Sequence, residues 1–263
     1  MKLQAKMSAF DHAMGLIYYD GSTAAPKGTA QNRGRTLSIL SEEHYKLSTG
    51  EETVALLEYL DTEKENLTEK EQRMVFLLLR SIRQMQKIPM EEYVAYQELL
   101  VEADDVWHTA KETSDFALFE PFLEKIFQTN IRFAIYCAPD MEPYDYWLNE
   151  YEDGLTMSQC DVFFATLRSR LVPLIQKIRQ KQNYLDDTCL FGNFPEHKQA
   201  LFSDKLMEVM GLDRNHVTIA TTEHPFTTSL GSHFDTRITT HYIPNNVASS
   251  MYSVIHELSL IHI

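Results

Sequence analysis

Through residues 1–211 the apolar positions recur at spacings of three and four, the period of amphipathic helices. The clearest punctuation is Thr68-Glu-Lys-Glu71, where a Thr N-cap and a Glu three residues later make a capping box and predict a helix running to about Lys87. Ile88-Pro89 ends it and opens another, with Tyr93, Tyr96, Leu100, Ala103, Trp107 and Ala110 as its core stripe. A third helix is expected from near Pro121, carrying Phe122, Ile126 and Phe133 inward, and a fourth from Pro143 to Glu152 before Gly154. Thr156 and Gln159 form a second capping box, and Cys160, Phe163, Leu167, Leu171, Leu174 and Ile178 then share one face, with Pro173 expected to kink the helix. Pro195 to Met210, closed by Gly211 as a C′ residue, reads as a further amphipathic helix.

After Gly211 the pattern changes. Two runs rich in β-branched residues, His216 to Leu230 and Thr236 to Ile243, read as strands of a small sheet over 212–243. Asn246 then caps a last helix, 246–258, whose expected buried stripe is Val247, Met251, Ile255 and Leu258. The fold class is therefore mainly α with a small sheet, and residues 1–263 are expected to form a single domain without linkers or repeats.

Composition adds little to that pattern but narrows the function. With 44% hydrophobic residues the 263-residue chain can bury a substantial core. A formal charge of −14 repels phosphate backbones and anionic lipid surfaces, so neither nucleic acid nor membrane is expected as a partner. Cys137, Cys160 and Cys189 lack CxxC spacing and suit reduced thiols, which points to the cytoplasm. The start has no apolar run of signal-peptide length, and no later stretch approaches a membrane span.

Candidate chemistry sits on the last helix, at Val254-Ile-His-Glu-Leu258, the opening of the zinc-peptidase pattern H-E-x-x-H. In that pattern histidines four residues apart share a helix face and bind one Zn²⁺, and the Glu takes a proton from the metal-bound water that attacks a peptide carbonyl. Here Leu260 stands in the second histidine's place, and His262 falls on a different face. Alone, a His-Glu pair in a helix is weak evidence for a metal site, a capped or exposed histidine being the usual explanation.

Other motifs change that balance. His224-Pro225-Phe226, then Asp235-Thr-Arg-Ile-Thr239, then His256-Glu257 follow one another in the order H-P-F, D-x-R-x-T, H-E-x-x-H, which resembles the carboxypeptidase Taq family of zinc carboxypeptidases. Tyr18-Tyr-Asp-Gly-Ser-Thr-Ala-Ala-Pro26 and the stretch from Tyr144-Asp to Thr156 resemble its early and central segments. The resemblance implies a multi-helix, zincin-like metallopeptidase fold with the small sheet near the active-site cleft, peptide substrates and a homodimer. It assigns His256 to zinc and Glu257 to general acid/base work.

Arg237 suits a carboxylate, either a substrate terminus or a neighbouring acidic side chain. Asp235 would orient Arg237 or cap the turn before the strand, and His224 would line the cleft or close a loop. Family members continue past this point with Gly-His and a carboxylate third ligand, so Ser259 to Ile263 is expected to be an unrelated tail. A chain lacking those ligands should be inactive, with the last helix's apolar stripe partly uncovered and the protein prone to aggregate. The competing reading is an inactive helical paralogue or a protein-interaction module. An oligopeptidase of another H-E-x-x-H family would share the chemistry without D-x-R-x-T.

Overall fold

The computed structural model describes residues 2–26, 28–181, 186–232 and 234–260; His262 lies outside them. Ten α-helices and three strands are present among these residues: α1 (Lys2–Thr23), α2 (Ala30–Thr49), α3 (Glu51–Thr62), α4 (Glu69–Lys87), α5 (Met90–Thr113), α6 (Phe116–Cys137), α7 (Pro143–Tyr151), α8 (Met157–Gln180), α9 (Glu196–Val209), β1 (Val217–Thr221), β2 (Thr227–Ser229), β3 (Thr236–Thr240) and α10 (Val247–Ser259). They form two compact units, Met1–Ser41 with Asp186–Ile263, and Glu42–Leu185, the division falling within α2.

The second unit is all helical. Both expected capping boxes form, at Thr68/Glu71 and Thr156/Gln159. The α4 stripe of Val75, Leu79 and Ile82 closes on Leu57 of α3. On α5, Ala103 and Ala110 are buried and Tyr96 meets Phe133 of α6 edge to face, 5.3 Å between centroids, while Leu100 turns outward. Ala134, Cys137 and Tyr146 join α6 to α7.

Helix α6 begins five residues before the expected Pro121. Asp115 caps it by accepting the Ala117 N–H, and a proline in the second turn removes only one hydrogen bond from a helix already nucleated by that cap. A larger departure concerns α8. Its 24 residues form one helix through Pro173, yet none is fully buried: of the expected stripe Cys160 and Leu167 are half-buried, and Phe163, Leu171, Leu174 and Ile178 are exposed.

The first unit holds the sheet. Its order is β1-β3-β2, with β1 parallel and β2 antiparallel to the central β3. The run from His216 to Leu230 is thus two strands, interrupted at His224-Pro225, because a proline cannot donate to a ladder. Met207 of α9, Val217, Ile238, and Val254 and Leu258 of α10 make the core. Buried Gln199 ties the layers together. Its amide donates to the carbonyls of Phe194 and Ile243, and its oxygen accepts from Ser250 on α10. Gly211, with φ +75°, closes α9 as expected of a C′ glycine.

Asn246 caps α10 by accepting the Ser249 N–H at 3.2 Å. The helix, however, buries Ser250, Val254, Glu257 and Leu258, not the stripe of Val247, Met251 and Ile255. The buried face is rotated by roughly one residue because a serine and a glutamate, both hydrogen-bonded, occupy inward positions. Val254 and Leu258 are covered, while Val247, Met251 and Ile255 of the expected stripe are only half-buried.

Candidate active site

All five residues singled out in the sequence lie in the sheet-bearing unit. Glu257 is buried, and its Oε2 accepts a 2.6 Å hydrogen bond from the Thr227 hydroxyl on β2. The same hydroxyl lies 3.1 Å from the Glu257 carbonyl oxygen. Thr227 follows His224-Pro225-Phe226 directly, so the loop that breaks the sheet delivers the residue that fixes Glu257.

That loop is itself pinned to β3. The Phe226 N–H donates to Thr239 Oγ1 at 2.7 Å, and the Phe226 carbonyl accepts from the Thr239 N–H at 2.9 Å. Thr239 is fully buried, which accounts for the threonine at that place in Asp235-Thr-Arg-Ile-Thr239. The Phe226 ring lies 6.3 Å from that of Tyr19 and 6.4 Å from that of Tyr18, both on α1.

Tyr19 also carries Arg237, whose guanidinium carbon is 5.6 Å above the ring centroid. Arg237 donates from Nε and Nη2 to the two Asp235 oxygens, the second contact at 3.1 Å. The guanidinium holds the Asp235 carboxyl below the ordinary carboxylate range, and the carboxylate raises Arg237 in turn against the opposing effect of burial. Asp235 thus holds the guanidinium by its edge, and Tyr19 lies against its face. Thr227 is not marked by any motif, and Tyr19 and Thr239 lie inside recognised motifs without a role that the sequence shows, since a tyrosine in a helix and threonines in a strand look like ordinary structure.

His256 and His224 are exposed. About 100° of helix rotation separates His256 from Glu257, so the imidazole faces outward while the carboxylate faces β2. Leu260, at the second-ligand position, is exposed and lies where α10 ends. No group of three His, Cys, Asp or Glu residues able to hold a metal occurs among the described residues. One imidazole does not meet the three protein ligands that a catalytic zinc takes, so the donors described here do not fit a complete site. A cavity of ≈ 350 Å³, lined by Ser22, Thr23, Thr221, Thr222, Glu223 and His241 among others, opens at the ends of β1 and β3. No helix among the described residues is long and apolar enough to cross a membrane.

Comparison with known proteins agrees with this motif order. The chain is 31% identical over 255 residues to carboxypeptidase 1 of Bacillus subtilis, covering 97% of this chain and 51% of that one. A crystal structure of a protein abbreviated BsuCP superposes with a TM-score of 0.94 at 30% identity, over 98% of this chain and 52% of the other. The M32 carboxypeptidase of Deinococcus radiodurans superposes with a TM-score of 0.83 at 27% identity, over 99% and 52%. The chain therefore spans about half the length of the relatives it matches. The sequence pattern described as carboxypeptidase Taq (M32) metallopeptidase matches residues 1–259, and the chain belongs to that family.

Proposed function

We propose that this chain forms one half of a zinc metallocarboxypeptidase, and that it releases C-terminal residues from peptides only when polypeptide outside the described residues supplies the remaining metal ligands. The supporting observation is the pairing of a fixed carboxylate with an open imidazole. Thr227 clamps Glu257 while His256, the preceding residue, faces outward. In this reading His256 is a metal ligand and Glu257 the general base. Zinc, when bound, would supply an activated water.

Other roles rest on the chain's own geometry. Arg237, held edge-on by Asp235 and faced by Tyr19, is arranged to receive a carboxylate such as a peptide terminus. His224 lies at the loop that delivers Thr227 and would border the substrate. Because the metal's donors are incomplete, hydrolysis is not assigned to this chain alone. Three free cysteines suit the reducing cytoplasm, and a homodimer of the completed protein belongs to the same proposal.

The test is to assay zinc and release of C-terminal amino acids for the chain alone, then after co-production with the part of the Bacillus subtilis relative outside the matched 255 residues. Zinc and turnover should appear only in the second case, and Glu257→Gln and His256→Ala should abolish turnover. Turnover by the chain alone, or turnover that survives Glu257→Gln, would sink the proposal.

A further inference from the structure

Helix α8 is amphipathic and has no fully buried residue; Met157, Cys160 and Leu167 are half-buried and the rest of its length is exposed. At about 100° per residue, Phe163, Phe164, Leu171, Leu174, Ile175 and Ile178 fall within an arc of about 120°. Each is between 46% and 58% exposed. A helix of this kind draws most of its stability from packing its apolar face, so an arc of six large side chains in water points to a missing neighbour.

The borders of that arc say which neighbour. Arg168 and Arg179 flank one side, Arg170 and Lys177 the other, and Asp161 is the helix's one acidic residue. Two copies of α8 laid against each other would oppose cation to cation along both borders, which argues against a second copy of this chain on this face. An anionic bilayer would attract the helix but repel the rest of a chain whose net charge is −14. A helix with an apolar stripe bordered by carboxylates satisfies both the arc and its flanks. The relatives contain about as much polypeptide again as this chain spans, and that polypeptide is a source for such a helix.

We propose that the apolar face of α8 docks an acidic-bordered amphipathic helix from the half of the family fold that this chain does not span. This surface belongs to the helical unit, and the residues of the candidate active site belong to the sheet-bearing one. Docking is therefore read by mass and affinity, independently of metal or turnover.

The experiment co-produces the whole chain with the portion of Bacillus subtilis carboxypeptidase 1 outside the matched 255 residues and measures the complex by light scattering and titration. A one-to-one complex is expected. Leu174→Asp with Ile178→Asp should weaken it at least about tenfold, as loss of central apolar anchors does. Arg168→Glu with Arg179→Glu should weaken it and reduce its salt dependence. Because all four positions are exposed, each variant should keep the parent's circular dichroism spectrum and unfolding midpoint. The proposal is overturned by absence of a complex, or by a complex indifferent to both double variants. It is equally overturned if Leu174→Asp with Ile178→Asp dissolves a self-associated form of the chain, or if α8 amides in the isolated chain are as protected from hydrogen exchange as those of α4.

Discussion

The hydroxyl of Thr227 donates to the carboxylate of Glu257 at 2.6 Å, joining the residue after His224-Pro225-Phe226 to the buried glutamate of α10. Two motifs some thirty residues apart meet in one contact. Replacing Thr227 by Val should leave a buried carboxylate without its donor and destabilise the sheet-bearing unit by about 1–3 kcal/mol. Thr227→Ser should recover most of that loss. Equilibrium denaturation of the three proteins would check it, and equal stability of Thr227→Val and the parent would count against the contact.

The Asp235–Arg237 pair gives a pH dependence. Asp235's carboxyl is depressed in the folded state by Arg237, so its stabilisation is fully present above the unfolded value of about 3.9 and is lost as pH falls through the lower folded value. Arg237's upward shift would act only in strong alkali. The difference in thermal midpoint between the parent and Asp235→Asn should be constant above about pH 5 and shrink steadily below about pH 4. A gap that widens on acidification would reverse the sign of the pair's effect.

Leu258 and Leu260 are two residues apart and should behave oppositely. Leu258 is fully buried among Met207, Val217, Ile238 and Val254, so Leu258→Ala should cost about 2–5 kcal/mol. Leu260 is exposed, and Leu260→Ala should change stability by less than about 0.5 kcal/mol.

Leu260 also stands where the H-E-x-x-H pattern has its second histidine. Leu260→His would place a second imidazole one turn beyond His256 and should raise zinc affinity by roughly tenfold or more over the parent. The gain should vanish on adding His256→Ala. Isothermal titration with zinc would measure both; an unchanged affinity in Leu260→His would show that the end of α10 is not in helical register with His256.

Much of the fold was legible because its signals are local. The capping boxes at Thr68 and Thr156, the Asn246 cap and the Gly211 terminus each depend on a few neighbouring residues, and each formed where expected. What stayed hidden depends on partners distant in sequence. Ser250 and Glu257 look like surface residues until Gln199 and Thr227 bind them, and their burial turned the α10 stripe by one position. The stripe on α8 was legible as a stripe, whereas its incomplete cover was not, because periodicity reports an apolar face and not what lies against it. The motif order singles out His256, Glu257, Arg237, Asp235 and His224 as candidates, while the contacts that Tyr19, Thr227 and Thr239 make with them depend on the tertiary fold.

The most direct measurement is the metal content of the purified chain after equilibration with zinc and desalting, followed in the same sample by an assay for released C-terminal amino acids. A half-site with His256 as its single described imidazole should retain clearly substoichiometric zinc and release nothing. One equivalent of tightly held zinc, with release abolished by Glu257→Gln, would contradict the half-site and show that this chain is an enzyme by itself.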